Sequence, residues 1–204
     1  MRRLLGLILL VGCGEVRPEP EASPRVIAVL PFADRTGGAA FDGVEFANIL
    51  ASELVKAGVR VIRPAQIGAV ATADEAIRAG RTLRADAILA CAITEYDPYD
   101  PPRVAIAAQI LRVEASPQSG QDLDRMLQSG SWRRGPLSLS RDRAGHALAA
   151  FEEVYDSRDR QTRSALQKYV EGRVDAEREV LAVQSRYLQF VSSRVASRVM
   201  AHGT

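Results

Sequence analysis

"RVIAVLPFA", residues 25–33, is the stretch on which the fold turns. Residues 26–30 are apolar without interruption, and Val26, Ile27 and Val29 are β-branched, the pattern of a short strand buried on both faces. Downstream, Asp42 supplies a helix cap and Glu45 follows three residues later in capping-box spacing. Phe46, Ala47, Leu50 and Leu54 then recur on one helical face until Gly58 ends the helix. "VRVI", residues 59–62, is a second strand from which Pro64 breaks away. Thr72 with Glu75 repeats the capping spacing for a helix to about Arg84, and "ADAILACAIT", residues 85–94, makes a third strand. The order βαβαβ favours a largely parallel sheet with helices against its faces.

"EYDPYDPP", residues 95–102, follows; Pro98, Pro101 and Pro102 lack the N–H that a central ladder needs. Residues 103–114 return as a strand antiparallel to the third, and 115–145 form a long irregular excursion. "HALAAFEEVYD", residues 146–156, reads as a last strand. A helix over 161–172 precedes one running to about Met200, with Val180, Val183, Tyr187, Leu188, Val191, Val195 and Val199 on one broad stripe. The predicted fold class is α/β: a mixed, mainly parallel sheet flanked by helices, with a C-terminal helical extension. The predicted organisation is a signal peptide (1–12), a modified cysteine and tether (13–24), an α/β domain (25–157) and the helical extension (158–204).

Upstream of the domain, Arg2 and Arg3 precede an apolar run over residues 4–12. That order belongs to an export signal. A spanning helix needs about 20 apolar residues, because it rises ~1.5 Å per residue through a hydrocarbon core ~30 Å thick. Leu10, Val11, Gly12 and Cys13 resemble the bacterial lipobox. The resemblance implies that the Cys13 sulfur receives a diacylglycerol, that cleavage makes Cys13 residue one, and that its amino group gains a further acyl chain such as palmitate. Two or more chains hold a bilayer stably at ~0.8 kcal/mol per buried CH₂. Residues 14–24, "GEVRPEPEASP", with three prolines and three glutamates, are a tether. In enterobacterial lipoproteins an aspartate after the modified cysteine favours inner-membrane retention. Gly14 stands there, which points to the outer membrane with the domain facing the periplasm. Cys91 has no partner once Cys13 carries lipid, and its apolar surroundings make it a small core hydrophobe.

The formal net charge of +2 comes from Arg2 and Arg3, which leave with the signal, so nucleic acid is not implied. Residues 13–157 carry 16 Lys and Arg against 20 Asp and Glu, whereas 158–204 carry 9 against 5. A basic tail of this kind faces an anionic partner or packs against its own acidic domain.

"RVIAVLPFADRTGG", the helix over 42–58, "VRVI" and "LRADAILACAITEYDPY" together resemble the bacterial envelope domain shared by the curli secretion channel subunit CsgG, the penicillin-binding-protein activator LpoB and the TolB amino-terminal domain. The likeness covers residues 25–115, with "FEEVYD" as a matching final strand. It implies a mixed sheet flanked by helices. The Pro-Phe pair after the first strand and the Ala-Asp pair before the third carry most of it. Cys91 stands where such sequences often have glycine, and residues 115–145 replace a short hairpin.

Motifs for chemistry are sparse. His146 and His202 have no zinc spacing, and no G-x-S-x-G occurs. "DRTGG", residues 34–38, follows a strand and precedes a helix but lacks the phosphate-loop lysine. Glu152 and Glu153 are adjacent strand residues and point to opposite faces. Asp97 and Asp100 flank Pro98 as a turn pair without the further carboxylates that calcium needs. No cofactor, metal or catalytic set is therefore assigned. The reading is a non-catalytic accessory lipoprotein, held to the bilayer by acylated Cys13, that serves an envelope protein assembly; an oligomer is compatible with it. A CsgG-like secretion-pore subunit is the alternative, and a cell-wall enzyme the outlier. The pore would need alternating strands of about 9 to 11 residues, and Arg133, Arg134, Arg141 and Arg143 are costly on a lipid face. Tyr96, Asp97, Tyr99 and Asp100 are the candidate partner-binding residues, presented on a proline-stiffened loop at a strand end.

The lipobox reading predicts that Cys13→Ser abolishes incorporation of a fatty-acid analogue and leaves the chain unprocessed or released. Equal labelling of wild type and variant in cells would remove the anchor assignment.

Overall fold

The computed structural model describes residues 26–36, 41–67, 70, 73–99, 101–113, 147–172 and 177–202. Cys13, the tether, the Thr72 cap, Asp100, His146 and residues 115–145 lie outside the described residues. The described strands are β1 Val26–Val29, β2 Ala33–Asp34, β3 Arg60–Ile62, β4 Ala87–Asp97, β5 Arg103–Arg112 and β6 Ala147–Asp156. The helices are α1 Gly43–Lys56, α2 Pro64–Ile67, α3 Ala73–Thr82, α4 Arg160–Val170, α5 Glu177–Ala182 and α6 Gln184–His202. One sheet runs β3-β1-β4-β5-β6, with β2 pairing β4 beyond the end of β1.

The mixed sheet flanked by helices that the sequence predicts is present. β1 lies parallel to β3 and β4, and β2 parallel to β4. These parallel ladders are short, because Pro31 stops β1 and Pro64 turns β3 into α2. The long ladders are antiparallel, β4 with β5 and β5 with β6. β4 also runs past Thr94. A bulge between Ile93 and Glu95 absorbs one residue, after which Tyr96 pairs with Val104 and Asp97 with Arg103. Tyr96 and Asp97, expected on a loop, therefore end a strand, and the turn shrinks to residues 98–102.

Alternation along β4 divides the core. Ala87, Leu89, Cys91 and Ile93 face α1 and the C-terminal helices, while Ile88 and Ala90 face α3. Asp86 locks the start of this strand: its carboxylate accepts from the Val26 N–H at 2.8 Å, its own N–H donates to the Val26 carbonyl at 2.8 Å, and its carbonyl accepts from Val113 N–H at 3.0 Å. The Ala-Asp pair noted in the sequence thus ties β1, β4 and the end of β5 together.

The C-terminal helices fold back over the sheet and share its larger core with α1. Phe190 is fully buried and meets Tyr155, Tyr169 and Tyr187 at ring distances of 6.3, 5.5 and 5.8 Å. The Tyr187 hydroxyl donates to the Tyr155 carbonyl at 2.9 Å, joining α6 to β6. The single helix predicted to reach Met200 is two: α5 stops at Ala182, and the Val183 carbonyl accepts from both Arg186 and Tyr187 N–H groups as the first turn of α6 begins. Val183 leaves the buried stripe at this joint and is 40% exposed.

α1 is capped as its sequence predicts. Asp42 Oδ1 accepts from the N–H groups of Val44 and Glu45 at 2.8 and 3.1 Å, and Gly58 closes the other end at φ +90°. The helix starts against the chain leaving β1, where Phe32 N–H donates to the Gly43 carbonyl at 3.0 Å. A Cβ at Gly43 would lie 2.2 Å from the Phe32 oxygen, whereas one at Gly58 would meet nothing within 4 Å. Gly43→Ala should therefore cost about 2 to 3 kcal/mol by forcing this contact apart, against about 1 kcal/mol for Gly58→Ala through backbone strain alone. Thermal unfolding of the two variants checks this; equal losses would mean that α1 shifts freely against β1.

Candidate functional site

The described side chains that converge with exposed apolar surface lie at the end of the sheet where β1 and β4 run out. Phe41 precedes the cap of α1 and Phe46 sits one turn inside it, the positions of a hydrophobic staple, and their rings lie 5.3 Å apart. Phe32 packs on Phe46 at 5.7 Å, and Tyr96 meets both Phe41 and Phe46 at 5.8 and 5.6 Å. Tyr96 is thus a lid on the core, with only 8% of its surface exposed. Its hydroxyl accepts from the Gln184 side-chain amide at the start of α6. Burial raises the Tyr96 pKa, the Gln184 hydrogen bond opposes the rise, and the nearby Glu45 carboxylate adds to it.

Three residues further on the side chain turns outward. Tyr99 is 79% exposed, and its N–H donates to Asp97 Oδ1 at 3.2 Å, which sets the turn. Behind it, Arg103 on β5 pairs with Glu95 at 3.1 Å and reaches Asp156 at 3.8 Å. A shallow groove beside this end is lined by Pro31, Phe32, Asp34, Phe41, Asp42 and Val44. Of the sequence-predicted binding residues, Tyr96 and Tyr99 therefore fall on opposite sides of one surface, Asp97 holds the turn, and Asp100 lies outside the described residues. The sequence reading missed Phe41, Val44 and Gln184. The staple spacing of Phe41 to Phe46 could have found the first; the Gln184 contact spans 88 residues and leaves no local signal.

Other ionisable clusters serve packing. Glu153 accepts from the Tyr155 hydroxyl and from Arg198 of α6, so this trio fastens α6 to β6. Burial, with Glu153 beside it, pushes the Tyr155 hydroxyl far above its ordinary range. Glu153 lies inward with Tyr155, whereas Glu152 is exposed, consistent with strand alternation. His202 stacks on Phe151 at 6.0 Å. Among the described residues, no group of three or more His, Cys, Asp or Glu is placed to hold a metal ion, and no helix is long and apolar enough to cross a membrane.

No family model matches the chain, and no curated protein matches it. Among solved structures, the PelC dodecamer from Paraburkholderia phytofirmans is 23% identical over 45% of this chain and 64% of its own, with a TM-score of 0.36. Lipoprotein GNA1162 from Neisseria meningitidis is 17% identical over 74% of this chain and 100% of its own, with a TM-score of 0.42. The LpoB C-terminal domain from Salmonella enterica is 16% identical over 48% of this chain and 78% of its own, with a TM-score of 0.31. The chain thus spans less than two thirds of the PelC chain's length. LpoB belongs to the group whose resemblance residues 25–115 carry.

Cys91, at the centre of β4, is 1% exposed, and burial pushes its thiol well above the usual range. In a Cys13→Ser chain, iodoacetamide at pH 8 should leave Cys91 unmodified while the protein is native and label it after unfolding in guanidinium. Native-state labelling, read by mass, would mean that β4 opens to solvent.

Proposed function

We propose that this chain is an acylated, periplasm-facing lipoprotein of the outer membrane that works as a non-catalytic binding module for an envelope protein assembly. The observation that carries this reading is Tyr99, an aromatic side chain 79% exposed on a turn stiffened by Pro98, Pro101 and Pro102 and held to a rigid two-sided core through Tyr96. Rigid presentation lowers the ordering cost of association, and exposed aromatics are the usual anchors of an interface. The polar groups described above support a module without chemistry, since Glu153, Arg198, Asp86 and Arg103 make contacts that hold elements together. Lipidation at Cys13 and the tether over 14–24 would place the domain up to about 30 Å from the bilayer, within reach of partners in the same envelope.

A photo-crosslinking amino acid at position 99, expressed in intact cells, should capture one predominant envelope protein, and the adduct should persist on changing growth phase. Tyr99→Ala should leave thermal unfolding within about 0.5 kcal/mol of wild type while weakening capture of that protein by about 30-fold, the loss of a hot-spot aromatic worth about 2 kcal/mol. Capture at wild-type strength by a folded Tyr99→Ala variant would move the interaction to another surface.

A further inference from the structure

The apolar surface around Tyr96 extends beyond Tyr99. Five large hydrophobic side chains are exposed among the described residues, and three of them, Val44, Tyr99 and Val183, neighbour the Tyr96 lid. Val44 lies in the first turn of α1 between Phe41 and Phe46 and lines the shallow groove with Phe32 and Phe41. Val183 directly precedes Gln184, whose amide reaches the Tyr96 hydroxyl. Three separate elements thus bring exposed apolar groups to one end of the sheet.

The charge on this end is one-sided. Asp34, Asp42, Glu45 and Asp97 border it, with Arg35 as the basic residue among them. The Asp34 and Asp42 carboxylates accept only neutral donors in their printed contacts, Thr36 for Asp34 and the first-turn amides of α1 for Asp42, so these bonds fix the side chains without cancelling their charge. Asp97 likewise accepts from the Tyr99 amide. The neighbouring charges balance: Glu95 faces Arg103, and Glu177 and Glu179 stand against Arg178 and Arg186. The amides at the start of α1 would otherwise attract an anion, but Asp42 already occupies them. Arg35 N–H bonds to Ile93 on β4, so by strand alternation Asp34 turns its own N–H and carbonyl away from β4, where an extended chain could meet them.

From these features we infer that the end face formed by Val44, Tyr99, Val183 and the groove beside Phe41 binds an extended, basic segment of a partner protein, with lysine or arginine against the carboxylates and aliphatic or aromatic side chains against the apolar groups. This deepens the binding-module reading and rests on it. The carboxylates supply the selection, since a like-charged segment would be repelled and an uncharged one would gain only the apolar contacts.

The test uses the mature chain made without lipid by Cys13→Ser and three fluorescent decapeptides: alternating lysine and leucine, the same with glutamate for every lysine, and the same with serine for every leucine. Fluorescence anisotropy should show saturable binding of the first peptide and at least about ten-fold weaker binding of the other two. Tyr99→Ala should weaken the first by about 30-fold, and Glu45→Gln, which leaves the Asp42 cap in place, by about 3-fold. Equal binding of the lysine and glutamate peptides overturns the inference. So does wild-type binding by both folded variants, or a concentration-dependent dimer that buries Tyr99 and excludes the peptide. If crosslinking from position 99 finds a partner in cells while the lysine peptide fails, the binding-module reading stands and the basic-segment inference alone falls. If neither finds a ligand, both fall.

Discussion

β4 is buried on both faces, and the rest of the fold follows from that constraint. From Ala87 to Ile93 no residue of this strand is more than 2% exposed. A strand in that position needs two covering layers at once, because leaving either side wet would expose Leu89, Cys91 and Ile93 or else Ile88 and Ala90. On one side α3 comes close, and Gly80 permits it: a Cβ there would lie 3.1 Å from Val113 and 3.3 Å from Ile88. On the other side α1 covers part of the sheet and α6 completes the layer, through Tyr187, Phe190, Val191 and Val195. The C-terminal helix is therefore a structural wall of the domain, although the sequence places it far from β4.

Two kinds of contact hold α6 in that place, and they differ in what they contribute. The apolar stripe supplies most of the free energy, since full burial of each large side chain stabilises by roughly 1.5 to 3 kcal/mol. The polar ties choose the position. Tyr187 reaches the Tyr155 carbonyl in a buried hydrogen bond worth about 1 kcal/mol, and Arg198 reaches Glu153 nearer the surface, where solvent reduces the contribution. Gln184 does the same at the other end of the helix by meeting Tyr96. Sliding α6 by one turn would keep much of the apolar contact but lose these bonds.

What could be read from the sequence was what depends on near neighbours. Asp42 and Gly58 mark the ends of α1 because caps act over three or four residues, and the β-branched run at 26–30 marks β1 because burial on both faces removes polar residues from a strand. The antiparallel return of β5 was legible for the same reason, as the proline turn connects adjacent strands. Distance along the chain hid the rest. The prolines suggested that the strand stops at Thr94, but the bulge there lets Tyr96 and Asp97 rejoin the ladder, and it is a property of the pair rather than of β4 alone. Likewise Val183 continues an apolar helical period, so only the packed structure shows the joint at which it turns outward. At the candidate site, the outward turn of Tyr99 was readable from Pro98 and Asp97, whereas the approach of α6 to Tyr96 was not.

The same packing explains why one end of the molecule is left with exposed apolar groups. Along the middle of the sheet, strand alternation sends every large side chain into one of two cores, and the edge strand β6 is tied by Tyr187 and Arg198. Where β1 and β4 run out, the two layers no longer meet over a strand, and the core is closed instead by rings set edge to face: Phe41 and Tyr96 against Phe46. Rings seal such an end with little side-chain entropy, but they leave their neighbours, Val44 and Tyr99, without a further layer to cover them. The core closure and the exposed surface thus share one cause. A partner that covered Tyr99 would lie against groups already fixed by Phe46 and Tyr96, so it would meet a surface ordered before binding.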